Sequence, residues 1–291
     1  MWRTALTVLI FVRSAFAQGS LCVIGGGSEN YNSWSDAPYA WIVQKAHSNN
    51  IIIIATTTQS SWLPNYVMSL GAASAFNVTI PNASVANDSS TYHAIRSCRG
   101  VFIKGGDQWE YVSRWRGTLT EQAIREVFLD GGVVAGTSAG AMIVSEFVFD
   151  ARFGSAVSRD ALRNPRSTTL RITSDFLRLL PSTLIDTHFH ERGRFGRLLT
   201  LLGRILAENG RRVLGIGLED QTALCVEPTM VGHVMGSGSV NFYYPEQHAI
   251  VRSSHFSRWC LPRFATMRLS HGSSMISSTT SLRRCRLPPR R

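Results

Sequence analysis

Ser138 sits in Gly136-Thr-Ser-Ala-Gly140, a G-x-S-x-G whose small flanking residues leave the hydroxyl free to act as a nucleophile. An apolar, β-prone run at 133–135 leads straight into it, and a helix-compatible run at 141–144 leaves it. A strand that turns sharply into a helix exposes a serine Oγ beside backbone N–H groups able to stabilise an oxyanion. Such a serine needs a base, and the base needs an orienting acid. Of the eight histidines, His188 stands in Asp186-Thr-His-Phe-His-Glu-Arg-Gly-Arg-Phe-Gly-Arg197, directly after an apolar run at 179–185, and so falls at a sheet edge. His190 is its nearest rival; on a continuing strand it would share a face with His188 but lie two residues further out. Beside a serine site, Arg192, Arg194 and Arg197 could clamp a substrate carboxylate through paired N–H donors.

These side chains need a frame, and the chain supplies apolar runs that end in glycine or turn residues. They fall at 21–24 before Gly25-Gly26-Gly27, at 51–56, at 101–104 before Gly105-Gly106, and at 133–135 before Gly136. Segments 37–48, 62–75 and 120–129 read as helices between them. Continuous apolar strands alternating with helices predict a parallel sheet covered on both faces, with ligands at the C-terminal strand edges where the glycine turns fall. From 213 the pattern changes to short strands at 213–218, 222–226, 231–235 and 240–244, expected as an antiparallel extension of that sheet. Residues 268–291 are rich in Ser, Thr, Arg and Pro and read as a disordered tail after a domain covering 20–260.

The charge sits toward the C-terminal end. The chain has 291 residues, is 44% hydrophobic and carries a formal charge of +11, but the nine arginines after Glu246, with no acid or lysine among them, leave about +2 on residues 1–246. The body lacks the broad basic excess that phosphate binding needs, so no nucleic-acid partner is expected. Arg3, the apolar 5–12 and Ala15-Phe-Ala17 form a secretory signal at residues 1–17, too short to span a bilayer. That predicts an extracellular protein free of the membrane after cleavage. The sequons at Asn77, Asn82 and Asn87 fit the same route as glycan acceptors. Five cysteines (22, 98, 225, 260 and 285) show no metal spacing, and no metal or other cofactor is expected. Cys22 and Cys225, in strand-like apolar runs, are equally compatible with buried thiols and with disulfides. A homodimer is compatible with the sequence, which does not set the oligomeric state.

Four motifs occur in one order: Gly105-Gly-Asp-Gln108, Gly136-Thr-Ser-Ala-Gly-Ala141, Asp186-x-His-Phe-x-x-Arg-x-Arg-x-x-Arg197 and Gly215-Ile-Gly-Leu-Glu-Asp-x-Thr-Ala-Leu224. Together they resemble the S51 serine peptidases, the family of cyanophycinase and dipeptidase E, over roughly residues 20–245. The resemblance implies an α/β fold: the class I glutamine-amidotransferase-like three-layer sandwich, with a mostly parallel sheet and a nucleophile elbow. It implies Ser138 as nucleophile and His188 as base. The N–H groups of Ala139 and Gly106 would form the oxyanion hole, and Gln108, Asp186, Arg192, Arg194 and Arg197 would bind substrate. It also implies an acid between the elbow and the histidine, where the family carries Glu. Asp160 is the best match in this sequence, with Asp150 and Glu146 as rivals. Two further departures are Thr187, where a Gln often precedes the histidine, and Arg/Ser-rich sequence where the family's last sheet continues past 244.

The implied activity is hydrolysis of aspartyl peptide bonds, β-linked or isoaspartyl as in cyanophycin, by a Ser-His-acid triad, with an aspartyl peptide as partner. The alternative is a catalytically inactive member that binds acidic peptides. A lipase-like α/β-hydrolase fits less well because the Ser138–His188 gap is only 50 positions. An amidotransferase would carry Cys at the elbow, and Gly25-Gly26-Gly27 lacks the dinucleotide G-x-G-x-x-G and reads as a tight turn near the site.

Overall fold

The computed structural model describes residues 19–246, 252–253, 259–260 and 264–270. The expected signal segment 1–17 and the tail from 271 onward lie outside the described residues. Five strands come first: β1 (Ser20–Ile24), β2 (Asn50–Ala55), β3 (Ser74–Thr79), β4 (Gly100–Ile103) and β5 (Val133–Thr137). They pair in parallel in the order β1-β5-β4-β2-β3.

The chain then builds a second sheet from β6 (Ser145–Phe149), β7 (Ile172–Thr173), β8 (Leu180–Asp186) and β9 (Leu214–Leu218). It returns to the first sheet for β10 (Thr222–Val226) and β11 (Gly232–Gly236), and to the second for β12 (Ser239–Pro245). A two-residue pair, β13 (Arg252–Ser253) with β14 (Trp259–Cys260), precedes β15 (Phe264–Ser270). The first sheet has seven strands in the order β11-β10-β1-β5-β4-β2-β3, and the second has six in the order β15-β12-β9-β8-β6-β7.

The α/β class with mostly parallel pairing agrees with expectation, but the single extended sheet does not. Of the four late strands, β10 and β11 extend the first sheet antiparallel, whereas β9 runs parallel to β8 and β12 antiparallel to β9 in the second. Short apolar strands carry no local mark of which sheet they will join. Residues 268–270 also differ from expectation: they are part of β15, paired antiparallel to β12, so the strand supplies the continuation beyond 244.

Strand alternation distributes the core. Leu21 and Val23, Ile52 and Ile54, and Val101 and Ile103 pack in one cluster, while Cys22 and Ile24, Ile51 and Ile53, and Phe102 pack in another. The second cluster is closed by helices α1 (Asp36–Lys45) and α2 (Trp62–Ser69). The first holds side chains from α5 (Gln108–Trp115), α6 (Leu119–Leu129), α9 (Phe195–Asn209) and the second sheet. The remaining helices are short: α3 (Ala83–Ala86), α4 (Ser89–Arg96), α7 (Ala139–Met142) and α8 (Ser158–Arg163). Four consecutive isoleucines, 51–54, are no more than 1% exposed, each removing apolar area worth about 1.5–3 kcal/mol, and this fixes β2 in the sheet interior. The expected helix 62–75 ends at Ser69. Gly71 at φ +104° breaks it, and the next residues form the edge strand β3.

Candidate active site

The end of β1 organises the site. Three successive carbonyls accept from the backbone of three different chain segments: Ile24 O from Ser138 N at 2.9 Å, Gly25 O from His188 N at 3.0 Å, and Gly26 O from Gln221 N at 2.8 Å. The Gly25-Gly26-Gly27 turn therefore gathers the elbow, the end of β8 and the end of β9 at one sheet edge. Gly26 has φ +132°, and a Cβ there would fall 2.6 Å from His188 Nδ1 and 2.7 Å from Asp220 Oδ1. Only glycine leaves room for that pair.

Ser138 leaves β5 with φ +52° and ψ −118°, a strained conformation for a residue with a side chain, and α7 begins at the next residue. Gly136 and Gly140 permit the bend, since a Cβ on Gly136 would overlap the Gly140 backbone across the elbow and one on Gly140 would overlap the carbonyls of Ile103 and Lys104 at the end of β4. Ser138 Oγ lies 2.8 Å from His188 Nε2, and His188 Nδ1 lies 2.5 Å from Asp220 Oδ1. His188 is itself held at φ +48°, in a turn after β8 rather than on a continuing strand. The neighbouring His190 is exposed.

Burial of the ring holds His188 below the usual histidine value, Asp220 opposes that shift, and the Arg192 charge reinforces it. At neutral pH the imidazole is therefore neutral. With Nδ1–H donating to Asp220, Nε2 carries a lone pair toward the serine. The turn bearing Asp220 is anchored on both sides. Its backbone N–H donates to Glu191, and the preceding Glu219 accepts from Ser239 N, Asn241 Nδ2 and Arg268 on β15.

The acid facing His188 is thus Asp220, not Asp160. Asp160 lies on α8 with a side chain 62% exposed, and its ion partner is Arg159 at 3.6 Å. The rivals are committed elsewhere as well. Asp150 is fully buried and bound to Thr173 Oγ1 and Arg171, and Glu146 accepts from Arg211 and from Ser182 N. The sequence signal for Asp220 was present in the Gly215–Leu224 motif, which puts Glu219-Asp220 at the end of an apolar strand. Restricting the acid to the interval between serine and histidine hid it.

The arginine cluster also divides. Asp186 and Arg197 are both fully buried and pair with each other, Arg197 Nε donating to Oδ2 at 2.9 Å. Arg197 also donates to Ala156 O and stacks on the Phe149 ring at 4.6 Å. Arg194, nearly buried, donates to Thr187 O and Asp186; burial, together with the Arg197 charge, pushes its guanidinium down to about 10. These three form an internal brace beneath the His188 turn instead of a clamp open to substrate, because all three are buried and spend their polar atoms on one another and on the carbonyls of Ala156 and Thr187. Arg192 alone of the group is exposed.

Gln108 opens α5, half-buried, with Nε2 3.0 Å from Met142 Sδ on α7. Gly105 backs onto the elbow, the place of its absent Cβ lying 3.4 Å from Ser138 Cβ. Among the described residues, no protein acceptor takes up the N–H of Ala139 or of Gly106. Nor do any three or more His, Cys, Asp or Glu side chains there group to hold a metal.

The sequons differ among themselves. Asn82 and Asn87 are exposed, accepting through Oδ1 at the starts of α3 and α6. Asn77 lies in β3, with Nδ2 donating to Ser60 O at 2.9 Å and Oδ1 buried. Its amide nitrogen, the atom a glycan would need, is already engaged.

A Ser–His–Asp hydrogen-bonded line at a strand-elbow-helix turn is the arrangement found in serine hydrolases built on an α/β frame. The fold is similar to that of a crystallised peptidase from an acI-B1 Actinobacterium, with a TM-score of 0.58 at 17% identity over 89% of this chain and 97% of the other. Residues 22–234 match the model of peptidase family S51, and the chain belongs to that family. It is similar to a cyanophycinase of Trichormus variabilis, 29% identical over 191 residues, or 64% of this chain and 58% of that protein. A cyanophycinase of Geminocystis herdmanii is 24% identical over 231 residues, covering 77% of this chain and 80% of that one. The match thus spans less than two thirds of the length of the Trichormus relative.

Proposed function

We propose that this chain is a serine peptidase that hydrolyses aspartyl peptide bonds, β-linked or isoaspartyl, using Ser138, His188 and Asp220. The observation that carries this reading is the unbroken hydrogen-bonded line from Ser138 Oγ through the imidazole to Asp220, at an elbow in a chain of family S51. Ser138 Oγ attacks the scissile carbonyl carbon while His188 Nε2 takes its proton, and Asp220 holds the resulting imidazolium. The oxyanion is received by the N–H groups of Ala139 and Gly106. The tetrahedral intermediate collapses as His188 returns the proton to the leaving amine, and water then repeats the sequence on the acyl-enzyme. Arg192, exposed and close enough to bias His188 electrostatically, is the cation available to a substrate carboxylate. Passage through a secretory lumen, with signal cleavage after residue 17 and glycans on Asn82 and Asn87, belongs to the same reading.

The test is a hydrolysis panel of β-Asp-Arg, α-Asp-Arg and isoaspartyl peptides with Ser138→Ala as control, beside mass analysis after treatment with a serine-reactive phosphonate. A stoichiometric adduct on Ser138 and turnover of the β-linked peptides are expected. Folded protein without an adduct refutes the nucleophile, and cleavage of the α-linked peptide alone refutes the β-aspartyl assignment.

A further inference from the structure

The described residues hold one pair of facing thiols. Cys22 on β1 and Cys225 on β10 are direct partners across an antiparallel ladder, with Sγ atoms 3.3 Å apart, and neither residue has measurable exposure. Gly25 N donates to Thr222 O three positions along the same ladder. Hydrogen-bonded and non-hydrogen-bonded pairs alternate, so Cys22–Cys225 is a non-hydrogen-bonded pair, with Cα atoms about 4.5 Å apart and side chains on one face. That separation lies within the range a disulfide spans. Burial and the neighbouring thiol push Cys225 well above the usual thiol range, which argues against a nucleophilic or metal-binding role for the pair. Cys98, also buried, donates to Ala94 O far from this ladder in sequence.

We infer that Cys22 and Cys225 form a disulfide that ties β1 to β10 directly beneath the site. The reaction is thiol–disulfide exchange with a disulfide oxidant such as glutathione disulfide or an oxidised dithiol protein. One cysteine thiolate displaces a thiol to give a mixed disulfide, and the second displaces the other thiol. The pair loses two protons and two electrons, which reduce the oxidant's disulfide to two thiols. Because both sulfurs are sealed in the core, the bond closes as β10 docks on β1 during folding. β1 runs into the Gly25-Gly26 turn, and β10 begins two residues after Asp220. The link therefore fixes the spacing of the two strand ends that hold His188 and its acid. This inference concerns the scaffold and is independent of which peptide the site cleaves.

The test refolds the unmutated chain in a reduced/oxidised glutathione buffer. Free thiols are blocked with N-ethylmaleimide under denaturing, non-reducing conditions, and the peptides are mapped. The expected result is one linked peptide pair containing Cys22 and Cys225, with neither cysteine carrying maleimide. Reduction should lower Tm by about 10 °C, because the bond closes a loop of some 200 residues. A Cys22→Ala/Cys225→Val double variant should have a Tm that does not respond to reductant. Full maleimide labelling of both cysteines, or recovery of either one linked to a different cysteine, overturns the inference. The map uses the natural chain and does not depend on any variant folding.

Discussion

Exchanging Asp220 for Asn changes almost no volume but reverses the chemistry at His188 Nδ1. The carboxylate Oδ1 2.5 Å from Nδ1 accepts a hydrogen bond from its N–H. An amide in that place can present N–H instead, which favours the tautomer with the proton on Nε2, the atom facing Ser138 Oγ at 2.8 Å. A base already carrying that proton cannot take another, and the imidazolium that forms during attack loses its counter-charge. A serine triad altered in this way loses about 10⁴ in kcat, equivalent to about 5 kcal/mol of transition-state stabilisation. Asp160→Asn should change kcat by less than about twofold, since that side chain is 62% exposed and faces only Arg159. The assay is steady-state hydrolysis of whichever panel peptide is turned over fastest, with the rate of phosphonylation of Ser138 as a substrate-independent readout. Thermal melts should show both variants folded, as Asp220 is a surface-edge carboxylate 30% exposed. If Asp220→Asn keeps more than a tenth of wild-type activity, or Asp160→Asn falls as far, the assignment of the acid is wrong.

Three other outcomes follow from the same geometry. Arg197→Met removes the doubly bonded partner of buried Asp186, leaving it Arg194 Nη1 at 3.4 Å, and should cost about 3 kcal/mol, read as a Tm drop of about 10 °C; an unchanged Tm would contradict the internal brace. Burial and Arg192 both hold His188 below the ordinary histidine range, so activity should rise with pH to a plateau reached before neutrality. Arg192→Gln removes one of the depressing charges and should shift that ascending limb to higher pH; a limb that stays put or moves lower excludes a direct electrostatic role for Arg192. On expression through a secretory pathway, Asn82→Gln and Asn87→Gln should each remove one glycan by mass, while Asn77→Gln should remove none because its Nδ2 is bonded to Ser60 O.

Much of the site was legible from local chemistry. The elbow declares itself because its conformation needs glycines within two residues of Ser138, and His188 because an apolar strand ends just before it. Alternating strands and helices gave the α/β class, since a parallel sheet buried on both faces leaves continuous apolar runs such as Ile51–Ile54. The C-terminal strand β15 was not legible. Its Arg/Ser-rich neighbourhood masks an alternation whose reward comes from pairing with β12.

The sequence by itself therefore determined the elbow serine, the histidine that faces it and the glycine turns that frame them, because each rests on conformational demands met within a few residues. Only the tertiary structure decided which acid faces the histidine and which arginines are spent inside the protein. Asp220 comes 32 positions after His188 and meets it only because β9 runs parallel to β8 and both ends converge on the Gly25-Gly26 turn. Asp186 and Arg197 read as a substrate site in one dimension. In three dimensions they neutralise each other, since two opposite charges buried side by side are satisfied by their own pairing and leave nothing for a ligand.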